Sequence, residues 1–265
     1  MVVLSSTFLR HQHAINTIAR DLDVAGVWQE EKSFVPERYA TTASDHEVIA
    51  RHFAARDAAE HRFFVGDTRL DLDPAAVVRR GAPGLVNDRA EIETMAALDP
   101  DVVLVFGTGL LRGDIISRFS GRIINLHLGL SPYYRGAGTN FWPLVNREPE
   151  LVGATVHYLD AGIDTGPILE HARPEISAAD GPHDLGNKAI VAGVRALIDC
   201  ARLHAENRAR AVPQAGGGRL YQRQDFSADA VRRMYRQFDT GMVDEYLSDR
   251  ARRDAAVPLL TQQRP

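Results

Sequence analysis

The stretch 101-DVVLVFGTG-109 decides the fold class of this chain. Five apolar residues follow Asp101, and the run leads directly into Gly107, Thr108 and Gly109. A continuous apolar run of this length is typical of a strand that is buried on both faces of a parallel sheet. We therefore predict a buried parallel strand over residues 101–106.

The segments around this strand alternate between strand-like and helical patterns. Short apolar or β-branched runs predict strands at 2–6, 24–28, 122–128, 153–159 and 167–176. Apolar residues at helical spacing, together with start and stop signals, predict helices at 10–22, 43–59, 73–80, 87–98, 112–119, 139–146 and 183–207. This alternation favours an α/β fold with a doubly wound, mostly parallel sheet.

The last fifty residues differ in pattern from the rest of the chain. A glycine-rich linker at 215–219 precedes two helical segments, 227–237 and 242–252, and Ser227 is suited to cap the first of them. We therefore divide the chain into a main α/β domain, 1–212, and a short helical C-terminal extension, 213–265. The extension is expected to offer a contact between two copies in a homodimer.

Composition excludes several classes of protein. The chain has 265 residues, of which 45% are hydrophobic and 25% charged, as in an ordinary soluble globular protein. Its net charge of −4 argues against a general affinity for nucleic acid or for an anionic membrane. One cysteine, Cys200, and an N-terminus unlike a signal peptide indicate a reducing, cytoplasmic location.

Polar residues gather near the end of the strand at 122–128. Asn125 and His127 are two residues apart, so their side chains project from the same face of an extended strand. Buried polar groups cost free energy unless they find partners. A core histidine with satisfied hydrogen bonds and a functional histidine both explain His127 when it is taken alone.

The segment 160-DAGIDTGP-167 favours the functional interpretation. Its glycines predict a tight loop that brings the carboxylate of Asp164 to a set place near the end of the sheet. An amide, an imidazole and a carboxylate together suit acyl-type transfer to an amine. Because the chain has no G-x-S-x-G elbow and Cys200 lies in a helical segment, we favour direct transfer over a covalent acyl-enzyme.

Taken in order, these motifs resemble those of the folate-dependent formyltransferases. The matching segments are NLH at 125–127, PYYRG at 132–136, GATVH at 153–157 and DTGP at 164–167. The family pattern is Asn-x-His-x-Ser-Leu-Leu-Pro-x-Tyr-Arg-Gly, then Gly-x-Thr-x-His, then an Asp in an Asp-x-Gly-Pro-like loop. The resemblance covers 124–168 closely, extends over 1–207, and implies a Rossmann-like formyltransferase fold.

The resemblance also implies a role for individual residues. Asn125 and His127 would stabilise the oxyanion that forms as a primary amine attacks the formyl carbon of 10-formyltetrahydrofolate. Asp164 would hold the charge state of the imidazole and move a proton from the amine, His157 would support Asp164, and no metal is implied. The residues expected around the folate cosubstrate are Phe106, Gly107, Thr108, Leu110, Leu111, Leu159, Asp160 and Ile163.

Other polar and aromatic residues have two interpretations each. Arg10 is either a solvated charge at a helix start or a contact for an acceptor phosphate or carboxylate. Arg135 is either part of a structural ion pair or a ligand for an acidic substrate. Tyr134 belongs either to the core or to the wall of a pocket in which an acceptor stacks. His11 and His13 do not share a helix face, so we expect them on the surface rather than around a metal.

Departures from the family pattern narrow the range of possible acceptor molecules. Gly129 replaces the usual Ser, and the segment 5–10 lacks the glycine-rich phosphate cradle of the glycinamide ribonucleotide enzymes. The extension at 213–265 is too short for the β-barrel that initiator-tRNA formyltransferases carry. We therefore expect a small-molecule amine, either an amino sugar or a specialised metabolite, rather than nucleic acid. The alternatives are a 10-formyltetrahydrofolate hydrolase of the same fold and a non-catalytic folate- or nucleotide-binding protein.

Overall fold

The computed structural model of the protein describes residues 1–32, 39–160, 162, 164–214 and 216–262. These residues contain a seven-stranded sheet and a two-stranded sheet. The larger sheet consists of β1 (Val2–Ser6), β2 (Gly26–Glu30), β3 (Val77–Gly81), β4 (Val103–Val105), β5 (Ile123–Leu128), β7 (Ala154–Tyr158) and β8 (Ile168–Ala172). The smaller sheet consists of β6 (Tyr134–Gly136) and β9 (Arg219–Tyr221).

The large sheet has the strand order β3-β2-β1-β4-β5-β7-β8. Its first five strands are parallel, and β7 and β8 are antiparallel to their neighbours. The prediction of a doubly wound, mostly parallel α/β sheet is confirmed. The order reverses between β1 and β4, and the carboxyl ends of these strands open into the crevice where such sheets usually bind ligands.

Helices cover both faces of this sheet. The helices of the described residues are α1 (Leu9–Asp21), α2 (Ala43–Phe64), α3 (Arg89–Ala97), α4 (Gly113–Arg118), α5 (Trp142–Val145), α6 (Pro182–Ala205), α7 (Ala228–Asp239), α8 (Met242–Ser248) and α9 (Arg250–Ala255), of which α1 and α6 pack on one face of the sheet and α3 and α4 on the other. Alternate residues of β1 explain the two layers. Val3 packs with Ile15 of α1 and with residues of α6, whereas Leu4 packs with Met95 of α3 and Ile115 of α4.

The helix predicted at 73–80 is wrong, because residues 77–81 form β3 beside β2. Val77 and Val78 are β-branched and favour a strand, and the charged Arg79 and Arg80 suit its position at the edge of the sheet. Asp73 instead closes a turn, since its side chain accepts a hydrogen bond from the backbone N–H of Ala75 at 2.8 Å.

The C-terminal residues return to the region that follows β5. Sequence analysis assigned 215–219 to a linker and did not predict β9, which pairs in parallel with β6. Ser227 caps α7 as predicted, accepting a hydrogen bond from the N–H of Ala230 at 3.3 Å. Met234 and Tyr246 share one hydrophobic cluster with Tyr134. The division into 1–212 and 213–265, and a dimer contact through the extension, stay predictions.

In the part of the chain that the structure covers, no helix is long and apolar enough to cross a lipid bilayer. Within the same residues, no group of three or more His, Cys, Asp or Glu side chains is arranged to hold a metal ion.

Candidate active site

A cavity of about 480 Å³ opens at the carboxyl ends of β1, β4 and β5. We call it the sheet-edge cavity. Its floor includes Asn125 and His127 at the end of β5, and Asp164 reaches it from the loop between β7 and β8. The cavity therefore occupies the crevice that the strand order predicts, and it contains the three residues assigned to catalysis from the sequence.

The pairing of β5 with β7 sets the first contact in this cavity. Asn125 lies directly opposite His157, so both side chains leave the same face of the sheet. Nδ2 of Asn125 is 3.0 Å from Nε2 of His157, and Nδ1 of His157 is 2.8 Å from the carbonyl oxygen of Tyr158. These contacts fit a neutral imidazole that donates from Nδ1 and accepts from the Asn125 amide at Nε2.

The carboxylate of Asp164 faces two imidazoles. Its Oδ1 lies 3.4 Å from Nδ1 of His127 and 3.8 Å from Nε2 of His157. The backbone at Asp164 is left-handed, with φ at +51°. Such a conformation costs free energy for a residue other than glycine, and it persists only where the surroundings hold it.

Two side chains hold the Asp164 loop, and a glycine lets it pass close to Tyr158. The amide of Gln214 donates hydrogen bonds to the carbonyl oxygens of Asp164 at 2.9 Å and of Gly166 at 2.7 Å. The carboxylate of Asp160 accepts from the N–H of Gly162 at 2.9 Å and from the hydroxyl of Thr165 at 2.8 Å. A Cβ atom on Gly166 would lie 1.8 Å from the carbonyl oxygen of Tyr158, so the loop requires glycine there.

Burial controls the charge of both imidazoles. It lowers the pKa of His127 below the usual value, and the negative charge of Asp164 opposes that shift. Burial is also the main cause that lowers the pKa of His157. Nε2 of His127 is buried without a hydrogen-bond partner among the described residues. This nitrogen is therefore available to a substrate in the cavity.

The residues expected around a folate lie in this cavity. Its lining contains Phe106, Gly107, Thr108, Leu110, Leu111, Leu159 and Asp160. Ile163 lies outside the described residues. The carboxylate of Asp160 is occupied by hydrogen bonds within its own loop. Asp160 therefore lines the cavity and also holds this loop in place.

Sequence reasoning missed the residues that hold the loop after β4. The carboxylate of Glu30 accepts hydrogen bonds from the N–H groups of Gly109 at 2.6 Å and of Gly84 at 2.8 Å. The ammonium of Lys32 donates to the carbonyl oxygen of Thr108 at 2.9 Å. The available signal was the charged residue Glu30, two residues after the apolar Trp28 of β2; the predicted end of this strand was two residues too early.

The prediction of a surface position is wrong for His11, whereas His13 is partly exposed. His11 is 4% exposed, its Nδ1 pairs with the hydroxyl of Ser6, and its ring packs edge-on against Phe106 at 4.6 Å. Nδ1 of His13 lies 2.8 Å from the carboxylate of Asp67. Helix α1 begins three residues after β1, so its first turn is held under the edge of the sheet.

The remaining predicted site residues lie in different parts of the structure. Arg10 forms an ion pair with Glu60 and lines the sheet-edge cavity. Tyr134 is 1% exposed in the core, and its hydroxyl contacts Glu148 and the amide of Asn146, so its surroundings match the core interpretation. For Arg135, no carboxylate of the described residues lies within ion-pair distance, and its Nε is buried without a partner.

A second cavity of about 440 Å³ adjoins the first. We call it the aromatic cavity, because its walls include Tyr39, Phe53, Phe141, Trp142 and Phe226. These side chains come from α2, from α5 and the residue before it, and from the segments preceding α2 and α7. Arg10, Leu128 and Gly138 line both cavities, so the two meet beside His127.

Comparison with known proteins gives a consistent result. The formyl transferase family model matches residues 10–200, a range that contains Asn125, His127 and Asp164. The methionyl-tRNA formyltransferase of Thermodesulfovibrio yellowstonii is 34% identical over 118 residues, which are 44% of this chain and 38% of that protein. The corresponding protein of Clostridioides difficile is 31% identical over 128 residues, 48% of this chain and 41% of that protein. The matches thus span less than half the length of these relatives.

Solved structures share the fold. An N-formyltransferase from Helicobacter canadensis, in complex with folinic acid and dTDP-3-aminofucose, has a TM-score of 0.57 at 16% identity, covering 89% of this chain and 80% of that chain. Glycinamide ribonucleotide transformylase 1 from Symbiobacterium toebii has a TM-score of 0.53 at 24% identity, covering 80% of this chain and 92% of that chain.

Proposed function

This chain belongs to the formyl transferase family, and on that premise we propose that it transfers the formyl group of 10-formyltetrahydrofolate to a primary amine of a small molecule. The observation that carries the proposal is the carboxylate of Asp164, which faces the imidazoles of His127 and His157 at the end of β5. A base, a hydrogen-bonding imidazole and an amide within one cavity are the groups that transfer of an acyl-type group to an amine requires.

Each residue has a proposed part in the reaction. Asp164 accepts the proton that the amine loses when its nitrogen bonds to the formyl carbon. The proton then passes to N10 of the folate as the bond between N10 and the formyl carbon breaks, and tetrahydrofolate leaves. Nε2 of His127, which has no partner among the described residues, donates a hydrogen bond to the formyl oxygen from the protonated ring, a form that the negative charge of Asp164 favours, and so stabilises the negative charge that develops there. Nδ2 of Asn125 donates one hydrogen bond to His157, and its second N–H donates to the formyl oxygen. His157 and Gln214 act through the residues that they position.

The sheet-edge cavity suits the folate cosubstrate, which supplies the formyl group when bound. Its volume of about 480 Å³ lies within the usual range for small-molecule sites. Apolar side chains from Phe106, Leu111 and Leu159 line it, and the loop over 107–111 presents backbone polar groups. Glu30 and Lys32 hold that loop through its backbone and leave its inner surface to the ligand.

The small size of the acceptor is supported by two observations. The aromatic cavity, which meets the sheet-edge cavity beside His127, has a volume of about 440 Å³ and suits a compact molecule. The net charge of −4 disfavours a polyanion such as tRNA. The single cysteine of the sequence is compatible with a reducing, cytoplasmic setting for this chemistry.

The test is a product analysis with the purified protein. We expect 10-formyltetrahydrofolate and a panel of small primary amines to yield tetrahydrofolate and a formamide in equal amounts. Formate released at a rate that no amine changes would contradict the proposal and identify a hydrolase. Tight binding of the folate without turnover for any amine would identify a binding protein instead.

A further inference from the structure

The aromatic cavity contains buried polar atoms that the protein itself does not satisfy. Nδ1 of His52, Nδ2 of Asn140 and Nδ2 of Asn187 all lack a hydrogen-bond partner among the described residues. His52 is 5% exposed and Asn187 is 4% exposed, so bulk solvent does not compensate for these atoms. Unpaired buried polar groups cost free energy, and a ligand that pairs with them recovers it.

The unpaired amide atoms are hydrogen-bond donors. Oδ1 of Asn140 accepts a hydrogen bond from the N–H of Gly153 at 2.9 Å, which orients its NH₂ group away from that contact. Asn187 lies on α6, and its Nδ2 is buried without an acceptor among the described residues. Amide N–H groups need oxygen or another acceptor as a partner. The ligand that fits this wall therefore carries oxygen atoms.

The described lining of this cavity disfavours a positive charge on the ligand beyond its reacting amine, because Arg10, Arg56 and Arg223 are already part of that lining. Burial, with Arg56 and His183 nearby, lowers the pKa of His52 to about 3, so its imidazole is neutral. Burial likewise lowers the pKa of His183 to about 4. Among the described lining residues, the only carboxylate is Glu60, which pairs with Arg10 and lies 3.8 Å from Arg56. An added ammonium group would be buried here without compensation.

The remaining walls suit a ring. Phe226 lies 5.0 Å from both Tyr39 and Phe141 between ring centres, and Trp142 is 5.1 Å from Phe141. Aromatic faces of this kind pack against the faces of other rings. Leu128, which directly follows His127, lines the same cavity, so a ligand here can extend an amine toward the catalytic groups.

We propose that the aromatic cavity binds the acceptor, and that His52, Asn140 and Asn187 select an amine mounted on a ring that bears oxygen substituents and no second cationic group. This inference rests on the proposed function and specifies the acceptor class for the same site. The two amides recognise the oxygen atoms, and the aromatic side chains hold the ring. The arginines of the described lining disfavour a second cation, because the carboxylate among these residues is already in an ion pair.

Intrinsic fluorescence offers a direct test. The chain has two tryptophans, of which Trp142 lines the aromatic cavity and Trp28 is buried among residues packed on α3 and α4. Three probes share one ring and differ only at the 4-position: 4-aminocyclohexanol, cyclohexylamine and 1,4-diaminocyclohexane. We expect the alcohol to bind about 10-fold more tightly than cyclohexylamine, and the diamine most weakly. Trp142→Phe should abolish the fluorescence change.

Two substitutions of one residue sharpen the test. Asn187→Leu removes the donor at similar size, so we expect the alcohol and cyclohexylamine to bind within about 2-fold of each other. Asn187→Asp replaces the donor with a negative charge, so the diamine should become the preferred probe. Gln224→Leu, an exposed amide next to the cavity residues, is the matched control and should leave the order of affinities unchanged.

The outcomes separate this inference from the proposed function, because the binding assay needs neither folate nor turnover. The expected order of affinities without any formyl transfer would support the acceptor class and contradict the function. Transfer that depends on Asp164, combined with equal affinities for all three probes or with no saturable signal, would overturn the inference and leave the function standing. A signal that survives Trp142→Phe would place the probe elsewhere and overturn it as well.

Discussion

The sheet-edge cavity and the aromatic cavity have similar volumes, about 480 and 440 Å³, but they differ in how their polar groups are paired. In the first, His157 has partners at both ring nitrogens, and the loop of Asp164 is held by Gln214. In the second, buried nitrogens of His52 and Asn187 have no partner among the described residues, whereas in the first this is so only for Nε2 of His127. The first cavity is organised before any ligand arrives, whereas the second keeps donors for a ligand to satisfy.

The two cavities also differ in origin. The sheet-edge cavity is built mainly from the ends of parallel strands and the loops that follow them, so neighbouring strands deliver its residues together. The aromatic cavity collects residues from α2, α5, α6 and the segment around Phe226. Substitutions should therefore change chemistry when made in the first cavity and selectivity when made in the second.

The largest expected effect comes from Asp164→Asn, which removes the base and the charge that faces both imidazoles. We expect kcat/KM for transfer to fall by about 10³-fold, because general-base and electrostatic contributions are both lost. Binding of folinic acid and of the amine probes should stay within about 2-fold of wild type. Asp239→Asn, at an exposed position, is the control. Undiminished transfer by the Asp164 variant would refute the catalytic assignment.

The next effect concerns stability rather than catalysis. The pKa of His52 is about 3 in the folded protein, below the usual 6.5, so its stabilising contribution is complete above pH 6.5 and declines as the pH falls. By linkage this one histidine accounts for about 2 kcal/mol of stability lost between pH 7 and pH 5. We expect His52→Gln to remove that part of the pH dependence in denaturant unfolding.

His61→Gln is the matched control for this measurement, because His61 is exposed on the same helix. It should unfold with the pH dependence of the wild type. Identical pH dependence in the His52 variant and the wild type would show that the aromatic cavity does not hold this imidazole neutral.

A smaller effect is expected from Glu30→Gln, which tests the sheet-edge cavity alone. The glutamine retains one oxygen for the N–H of Gly109 or of Gly84 and turns its NH₂ group toward the other. One of these N–H groups then loses its acceptor and faces an amide donor, which loosens the loop after β4, and affinity for folinic acid should fall about 10-fold. Affinity for the amine probes should not change. Glu31→Gln, an exposed neighbour, provides the control; equal losses for both ligands would contradict the separation of the two cavities.

The smallest effect is expected from Gln214→Ala. Loss of the hydrogen bonds to the carbonyls of Asp164 and Gly166 lets the left-handed loop relax. We expect kcat to fall about 5-fold while KM for both substrates is unchanged, since the residue positions the base and contacts no substrate. Gln224→Ala should behave as wild type. A raised KM with normal kcat would assign Gln214 to binding rather than to positioning.

Part of the candidate site was accessible to sequence reasoning because it follows from local periodicity. Asn125 and His127 share a face because residues two apart on a strand point to the same side of the sheet. The glycines around Asp164 indicate a tight loop. The roles of Gln214 and Glu30 had no such signal, because each pairs with backbone groups about fifty residues or more away. The buried state of His11 depends likewise on how α1 meets the sheet.

The amino-acid sequence by itself determined the mostly parallel α/β sheet and the grouping of an amide, an imidazole and a carboxylate near one strand end. Apolar runs, strand periodicity and glycine turns are local properties, so the residues themselves encode these features. Only the tertiary structure decided that Gln214 holds the Asp164 loop and that His52 and Asn187 meet in a cavity beside His127. Those features depend on contacts between elements far apart in the chain. The free energy of such contacts depends on the packing of both elements, so the local sequence around either one does not indicate them.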